Sequence, residues 1–94
     1  MNRVETIRDR LQSALAPASL DVIDDSHLHA GHAGARDGRG HFRVALVCAQ
    51  FEGLSKVQRH QLIYRALGAL MQSDIHALGI QALTPTEARV PVRN

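Results

Sequence analysis

Hydrophobic residues recur along this chain with two different periods, and the change of period predicts where helices and strands lie. Near the start, Val4, Ile7, Leu11 and Leu15 are spaced three or four residues apart. This spacing places their side chains on one face of a helix, which is predicted to cover residues 3–16. A proline follows directly and ends the helical pattern.

The next two apolar segments alternate with a period of two and predict a hairpin. Residues 19–25 carry Leu20 and Val22 on one face, and residues 41–49 continue the alternation. The apolar face of the second strand consists of Phe42, Val44, Leu46 and Cys48. Because residues 26–40 contain four glycines and no apolar period, they are predicted to form a long loop at the hairpin tip.

A second helix and a third strand are predicted in the other half of the chain. After a turn at 51–54, Ser55 and Gln58 form a capping-box pattern that opens a helix over residues 56–72. The apolar face of this helix consists of Ile63, Leu67 and Leu70, with Leu62 and Ala66 beside them. Residues 76–83 then return to a period of two and predict a strand. Its apolar face consists of Leu78, Ile80 and Ala82.

These elements predict a small two-layer α+β sandwich in the order α-β-β-α-β, with room for a short helix before the last strand. Helices would cover one face of a three-stranded sheet and leave the other face partly open. The 94 residues are expected to form a single domain, 1–94, with its core over 3–86. One helical turn is expected around Glu87, and residues 87–94 are expected to be a frayed tail.

Composition narrows the classes of protein to which this chain can belong. With two phenylalanines, one tyrosine and no tryptophan, the core must be aliphatic. Cys48 is the single cysteine, so no internal disulfide forms, and its place in the strand alternation predicts a buried side chain. The sequence shows no signal peptide and no run of about 18 apolar residues, so a cytoplasmic protein without a membrane partner is expected.

The charge balance permits an anionic partner but does not require one. The formal net charge is +2, and ten arginines and one lysine are spread along the chain. Lys56, Arg59, Arg65 and Arg43 are candidates for contact with a phosphate backbone. Because no acid–base pair, nucleophile elbow or phosphate loop is visible, the protein is not expected to be an enzyme.

The histidines are the strongest chemical signal in the sequence. Four of the six lie in one stretch, as His27, His29, His32 and His41. Imidazole is the commonest side-chain metal ligand, so this glycine-rich loop predicts a ligating or docking site. Zinc or nickel held by the loop histidines alone is an alternative, although no cysteine or carboxylate set completes a closed tetrahedral site. His41 and His60 are expected to have structural or surface roles.

Several separate segments, in order, resemble the BolA family. The matching motifs are DDSHLHAGH (24–32), HFRV (41–44), FEGLS (51–55), RH (59–60), IY (63–64), IHAL (75–78) and TP (84–85). Together they cover residues 20–86, which is far more specific than any single short motif. The resemblance implies a BolA fold, similar to the class II KH arrangement.

The resemblance also implies a function. BolA-like proteins form heterodimers with monothiol glutaredoxins, and the pair can hold a bridging [2Fe–2S] cluster, to which the glutaredoxin contributes a cysteine thiolate and bound glutathione. On this side the closing-strand motif implies His76 as one ligand, and the hairpin loop supplies the other. Counting from the first strand favours His29 as that ligand, counting from the second strand favours His32, and His27 ranks last. No cofactor is expected in the isolated chain.

One alternative function stays open at this point. Some bacterial members of the family are described as DNA-binding transcriptional regulators, which the mild basicity also permits. A Gly-x-x-Gly loop of the KH type is absent at residues 53–56, and residues 31–34, which have that spacing, lie in the hairpin loop. The sequence does not decide the oligomeric state, and a homodimer stays open beside the glutaredoxin heterodimer.

Overall fold

The predicted helices and strands are present in the computed structural model, which describes residues 2–26 and 38–89. The elements in chain order are helix α1 (Arg3–Leu15), strands β1 (Ser19–Asp24) and β2 (Gly40–Val47), a 3₁₀ turn (Ala49–Phe51), helices α2 (Lys56–Leu67) and α3 (Leu70–Ser73), strand β3 (Ile75–Leu83) and helix α4 (Pro85–Arg89). The predicted α+β class with a three-stranded sheet is confirmed.

Helix α1 begins and ends at residues whose conformations suit those positions. The side chain of Asn2 accepts a hydrogen bond from the backbone N–H of Glu5, at 2.8 Å, and caps the helix. Ala16 adopts a left-handed φ of 45° and closes the last turn. The predicted apolar stripe is buried at Ile7, Leu11 and Leu15. Burial of this stripe against the rest of the core attaches the helix to the domain.

The prediction of one continuous helix over residues 56–72 is wrong. The capping box of Ser55 and Gln58 is present, with reciprocal hydrogen bonds of 2.9 and 3.1 Å. However, Gly68 has a φ of 55°, which ends α2, and the chain re-enters helix only at Leu70. The apolar face nevertheless stays continuous across the break, because Ile63, Leu67 and Leu70 are all buried.

The second strand ends earlier than predicted. Residues 41–49 were expected to be extended, but β2 ends at Val47. The following 3₁₀ turn buries Phe51 completely. Cys48 lies between strand and turn and is 1% exposed, so its predicted place in the core is confirmed.

The sheet has the order β1-β2-β3. β1 is antiparallel to β2, as the hairpin prediction requires, and β3 is parallel to β2. The parallel register sets Phe42 beside Leu78 and Val44 beside Ile80. The predicted apolar faces of both strands therefore meet on the side of the sheet that the helices cover.

Arg59 joins four parts of the chain around the start of α2. Its guanidinium donates to the backbone carbonyls of Leu54 and Ala82, at 3.1 and 3.0 Å, and to both carboxylate oxygens of Glu87, at 2.6 and 3.1 Å. Glu87 also accepts from the backbone N–H of Thr84, at 2.8 Å. This network holds α4 against the end of β3.

Helix α4 extends to Arg89, three residues into the segment predicted as tail, and residues 90–94 lie outside the described part. Over residues 2–26 and 38–89, none of the helices has both the length and the apolar composition that a bilayer crossing requires.

The Ile63→Ala variant should lower the free energy of unfolding by about 2–5 kcal/mol, because Ile63 is fully buried and the variant leaves a cavity. Urea denaturation followed by far-UV circular dichroism measures this change. Val57→Ala on the same helix is the control, since Val57 is 65% exposed, and it should change stability by less than about 0.5 kcal/mol. Equal losses in both variants would contradict the core assignment.

A second prediction concerns the pH dependence of stability. The hydrogen bonds from Arg59, and next that from the Thr84 backbone, lower the pKa of Glu87 to about 2 from an ordinary value of 4.5. Because the pKa is lower in the folded state, the ionised carboxylate stabilises the fold above about pH 4.5 and that contribution is lost as pH falls towards 2. Wild type should therefore melt at a higher temperature than Glu87→Gln at pH 7, and the difference should shrink between pH 4.5 and 2.

The control for that experiment is Asp9→Asn, which also removes one negative charge, from an exposed position on α1. Its melting temperature should follow that of wild type across the same pH range. If the gap between wild type and Glu87→Gln were independent of pH, the ion pair would not be the source of the stability.

Candidate metal-ligand site

The end of the sheet at which β2 and β3 begin brings two histidines together. The ring centroids of His41 and His76 lie 5.2 Å apart, with their planes tilted by 46°. Because the two strands are parallel neighbours, their first residues must lie at the same end of the sheet. The sequence predicts that both histidines begin strands, but it does not show that these strands are parallel neighbours, so only the structure brings the two rings together.

His76 occupies an irregularity in the β2–β3 pairing. Gly40 pairs with Ile75 and the next residue, His41, pairs with Ala77, so β3 carries one extra residue at this point. In a regular strand Ile75 and Leu78 would face opposite sides, yet Ile75 is 1% exposed and Leu78 packs on the same core. The bulge therefore lets both side chains face the core while His76 is exposed at the surface.

Arg39 contacts the ring of His76. The distance from its Nη2 to Nδ1 of His76 is 3.1 Å. A guanidinium can only donate hydrogen bonds, so Nδ1 must accept in this contact. A metal bound at Nδ1 would occupy the accepting lone pair, and a metal bound at Nε2 would leave the proton on Nδ1. Ligation of a metal by neutral His76 and its hydrogen bond from Arg39 are therefore mutually exclusive.

Backbone hydrogen bonds fix both sides of the predicted hairpin loop to this end of the sheet. The N–H of His41 donates to Oγ of Ser26 at 3.0 Å, and the N–H of Asp25 donates to the carbonyl of His41 at 2.7 Å. On the other side, the N–H of Gly40 donates to the carbonyl of Asp74 at 2.8 Å. Ser26 and Gly40, which flank the predicted loop, are thus both held at the end of the sheet that carries the two histidines.

Gly40 makes this close approach possible. A Cβ atom at this position would lie 2.7 Å from both the Phe42 ring and Oγ of Ser26. Neither neighbour can give way without cost, because the phenyl ring is buried and the hydroxyl accepts from His41. Glycine is thus required where β2 passes Ser26.

The predicted loop ligands His29 and His32, and the lower-ranked His27, lie outside the described residues. The structure therefore gives the position of His76, whereas ligation by His29 or His32 stays a prediction. Within residues 2–26 and 38–89, no group of three or more histidine, cysteine, aspartate or glutamate side chains has the arrangement of a metal site.

The four candidate phosphate contacts lie in three separate regions of the surface. Lys56 and Arg59 lie together in a cleft of about 410 Å³ between α2 and β3. Arg65 lies in another, beside Ala14 and Gln50. Arg43 lies on the sheet face away from the helices, where it forms an ion pair with Asp25.

Of these four, Lys56 and Arg65 are exposed and form no ion pair with any residue that the structure describes. The side chain of Arg59 is 13% exposed, and its hydrogen bonds to Glu87 raise its pKa. Arg43 is exposed but holds the carboxylate of Asp25, a residue that is 8% exposed. These arginines therefore neutralise carboxylates within the domain.

Comparison with known proteins supports a family assignment. A sequence model of the BolA-like protein family matches residues 11–87 of this chain. Protein BOLA1, chloroplastic, from Arabidopsis thaliana is 41% identical over 90 residues, which cover 93% of this chain and 56% of that protein. The DNA-binding transcriptional regulator BolA of Haemophilus influenzae is 36% identical over 87 residues, which cover 93% of this chain and 82% of that protein.

The fold leads to the same assignment. The solved structure of the BolA domain of SufE1 from Arabidopsis thaliana matches with a TM-score of 0.81 and 42% identity, covering 93% of this chain and 96% of that one. The chain spans 56% and 58% of the length of the Arabidopsis BOLA1 and mouse BolA-like protein 1 sequences. Since the family match covers most of the chain and the folds agree, the chain belongs to the BolA family.

Proposed function

We propose that this protein is a non-catalytic partner of a monothiol glutaredoxin and helps to hold or transfer a [2Fe–2S] cluster. His76 is the proposed ligand from β3, and His29 or His32 is the proposed second ligand from this chain. A cysteine thiolate of the glutaredoxin and its bound glutathione would complete the set. Family membership supports the proposal, and the sheet end that carries His76 supports the choice of residues.

The observation that carries the proposal is the position of His76 in the bulge. The bulge presents its imidazole at the surface, while the buried neighbour Ile75 fixes the strand beneath it. The hydrogen bond between His41 and Ser26 brings the start of the segment with the other predicted ligands to the same end of the sheet. A strand-borne imidazole near Ser26, the last described residue before the predicted loop histidines, suits an incomplete ligand set that a second protein finishes.

The ligand type suits a cluster that is passed between proteins. Replacing thiolates by neutral imidazoles on one iron reduces the negative charge of the assembly and raises its reduction potential, as in Rieske centres. Metal affinity at such ligands also depends on pH, because the imidazole must be deprotonated to bind. This chain would therefore contribute uncharged ligands whose affinity for the metal changes with pH.

Arg39 adds a constraint to that chemistry. Since its hydrogen bond to Nδ1 of His76 and ligation by His76 exclude each other, Arg39 must move before His76 can ligate. The free chain would therefore hold the ligand in a protected arrangement, and binding must compensate the loss of one hydrogen bond.

DNA binding is the alternative function, and the name of the Haemophilus influenzae relative supports it. The distribution of the basic side chains over three separate regions of the surface does not favour it, because one phosphate backbone would have to reach opposite faces of the domain. Cytoplasmic location and homodimer formation stay predictions, and one relative is named as chloroplastic.

The test of the proposal uses a monothiol glutaredoxin reconstituted without oxygen with iron, sulfide and glutathione. Adding this protein should change the visible circular dichroism of the loaded glutaredoxin, because imidazole replaces thiolate on one iron. His76→Ala should abolish that change, whereas His76→Cys should retain a bound cluster with a lower reduction potential. An unchanged spectrum with wild type, or equal changes with wild type and His76→Ala, would overturn the proposal.

Arg39→Ala should strengthen cluster sharing, because it removes the competing hydrogen bond. The concentration of protein that produces half of the dichroism change should fall by about 3- to 10-fold, the range expected for one hydrogen bond. Arg65→Ala removes the same charge from a separate cleft and is the control. If Arg39→Ala weakened sharing, the competition between Arg39 and the metal would be excluded.

A further inference from the structure

β3 is an edge strand with unusual composition for that position. It follows β2 in the sheet order, and among the described elements none pairs with its outer side. Its nine residues, Ile75–Leu83, include no charged residue and no proline. Natural proteins usually protect such edges with charges, prolines or covering segments, because an open edge pairs readily with another strand.

The opposite edge of the sheet has the usual protection. β1 carries Asp21 and Asp24, and Arg8 donates to the backbone carbonyl of Leu20 at 3.2 Å. The difference between the two edges indicates that β3 is the side suited to strand addition.

The backbone groups that face outward on β3 can be identified. The carbonyl of Leu83 accepts from the N–H of Cys48 at 2.9 Å, so it faces inward. The carbonyl of Ala82 accepts from Arg59, so it faces outward. Because these directions alternate along a strand, the N–H and C=O groups of Ile80 and Leu78 also face the outer edge.

The 410 Å³ cleft beside this edge combines an apolar wall with a lysine, and this combination favours one kind of partner. Ile80, Ala82 and Leu83 form one wall, and Lys56 lies on the other. The cleft already holds one carboxylate, that of Glu87 on Arg59. Lys56 is exposed, and no ion pair is formed by its ammonium with any described residue. A second carboxylate is therefore the complementary group.

We propose that the outer edge of β3 binds an extended segment of a partner protein as a fourth strand, with an acidic side chain of that segment beside Lys56. Added strands lie about 4.8 Å away and draw their affinity from main-chain hydrogen bonds. Arg59 occupies the carbonyl of Ala82, so pairing ends there and the acidic residue falls at that end. Only the identity of the partner rests on the proposed function. The reason is that the other end of β3 carries His76, the proposed cluster ligand.

The test uses the isotope-labelled chain alone and two synthetic peptides, so it needs neither cluster nor glutaredoxin. The capped peptides are Thr-Val-Thr-Val-Thr-Glu-Glu and the same residues in reverse order, which allow parallel and antiparallel addition. When peptide occupies about 90% of the chain, the hydrogen exchange of the Leu78 and Ile80 backbone amides should slow about 10-fold. The reason is that only the peptide-free fraction of the chain exchanges. Gly79 and Gln81, whose N–H groups face β2, should change little.

Variants of the chain and of the peptide, together with a test of DNA duplex binding, distinguish strand addition from its alternatives. Lys56→Glu should weaken peptide binding by about 5-fold, and replacing the two glutamates by lysines should weaken it similarly. Arg65→Glu, a charge reversal elsewhere on the same helix, should have no effect. Protection without the alternating pattern, equal effects of Lys56→Glu and Arg65→Glu, or binding of a DNA duplex but neither peptide at this edge would overturn the inference. The spectroscopic test with His76 would be unaffected by that result.

Discussion

The parallel pairing of β2 with β3, including its one-residue bulge, is the constraint on which the rest of the molecule depends. The bulge allows Ile75 and Leu78 to share one core although they are three residues apart. The same bulge carries His76, whose ring lies 5.2 Å from that of His41. Core packing and the candidate ligand position therefore meet at one irregularity of the sheet.

Arginine has a consistent role in this small domain. Arg59, Arg43 and Arg39 each contact a specific acceptor within the chain, namely Glu87, Asp25 and His76. Over residues 2–26 and 38–89, several positive groups are paired in this way, and the candidate basic side chains lie in separate clefts. The exposed lysine beside an uncharged strand edge is then the more informative feature for partner binding.

Most elements of the fold could be predicted because local side-chain periodicity directly reflects which face is buried. The stripe of Ile7, Leu11 and Leu15 and the alternation that ends at Cys48 are both buried as expected. The errors occurred at element ends. Gly68 interrupts a helical pattern whose apolar residues continue across the break, and periodicity does not report a left-handed φ at one residue.

The amino-acid sequence by itself determined most of the elements, a mainly aliphatic core, the buried cysteine and the identity of His76 as a candidate ligand, since these depend on local pattern or on motifs. Only the tertiary structure decided that His41 and Arg39 adjoin His76, that the basic residues occupy separate clefts and that no described strand pairs with the outer edge of β3. These features depend on strand order and on a one-residue shift in register. Contacts between residues more than 30 positions apart decide them, and no local pattern records such contacts.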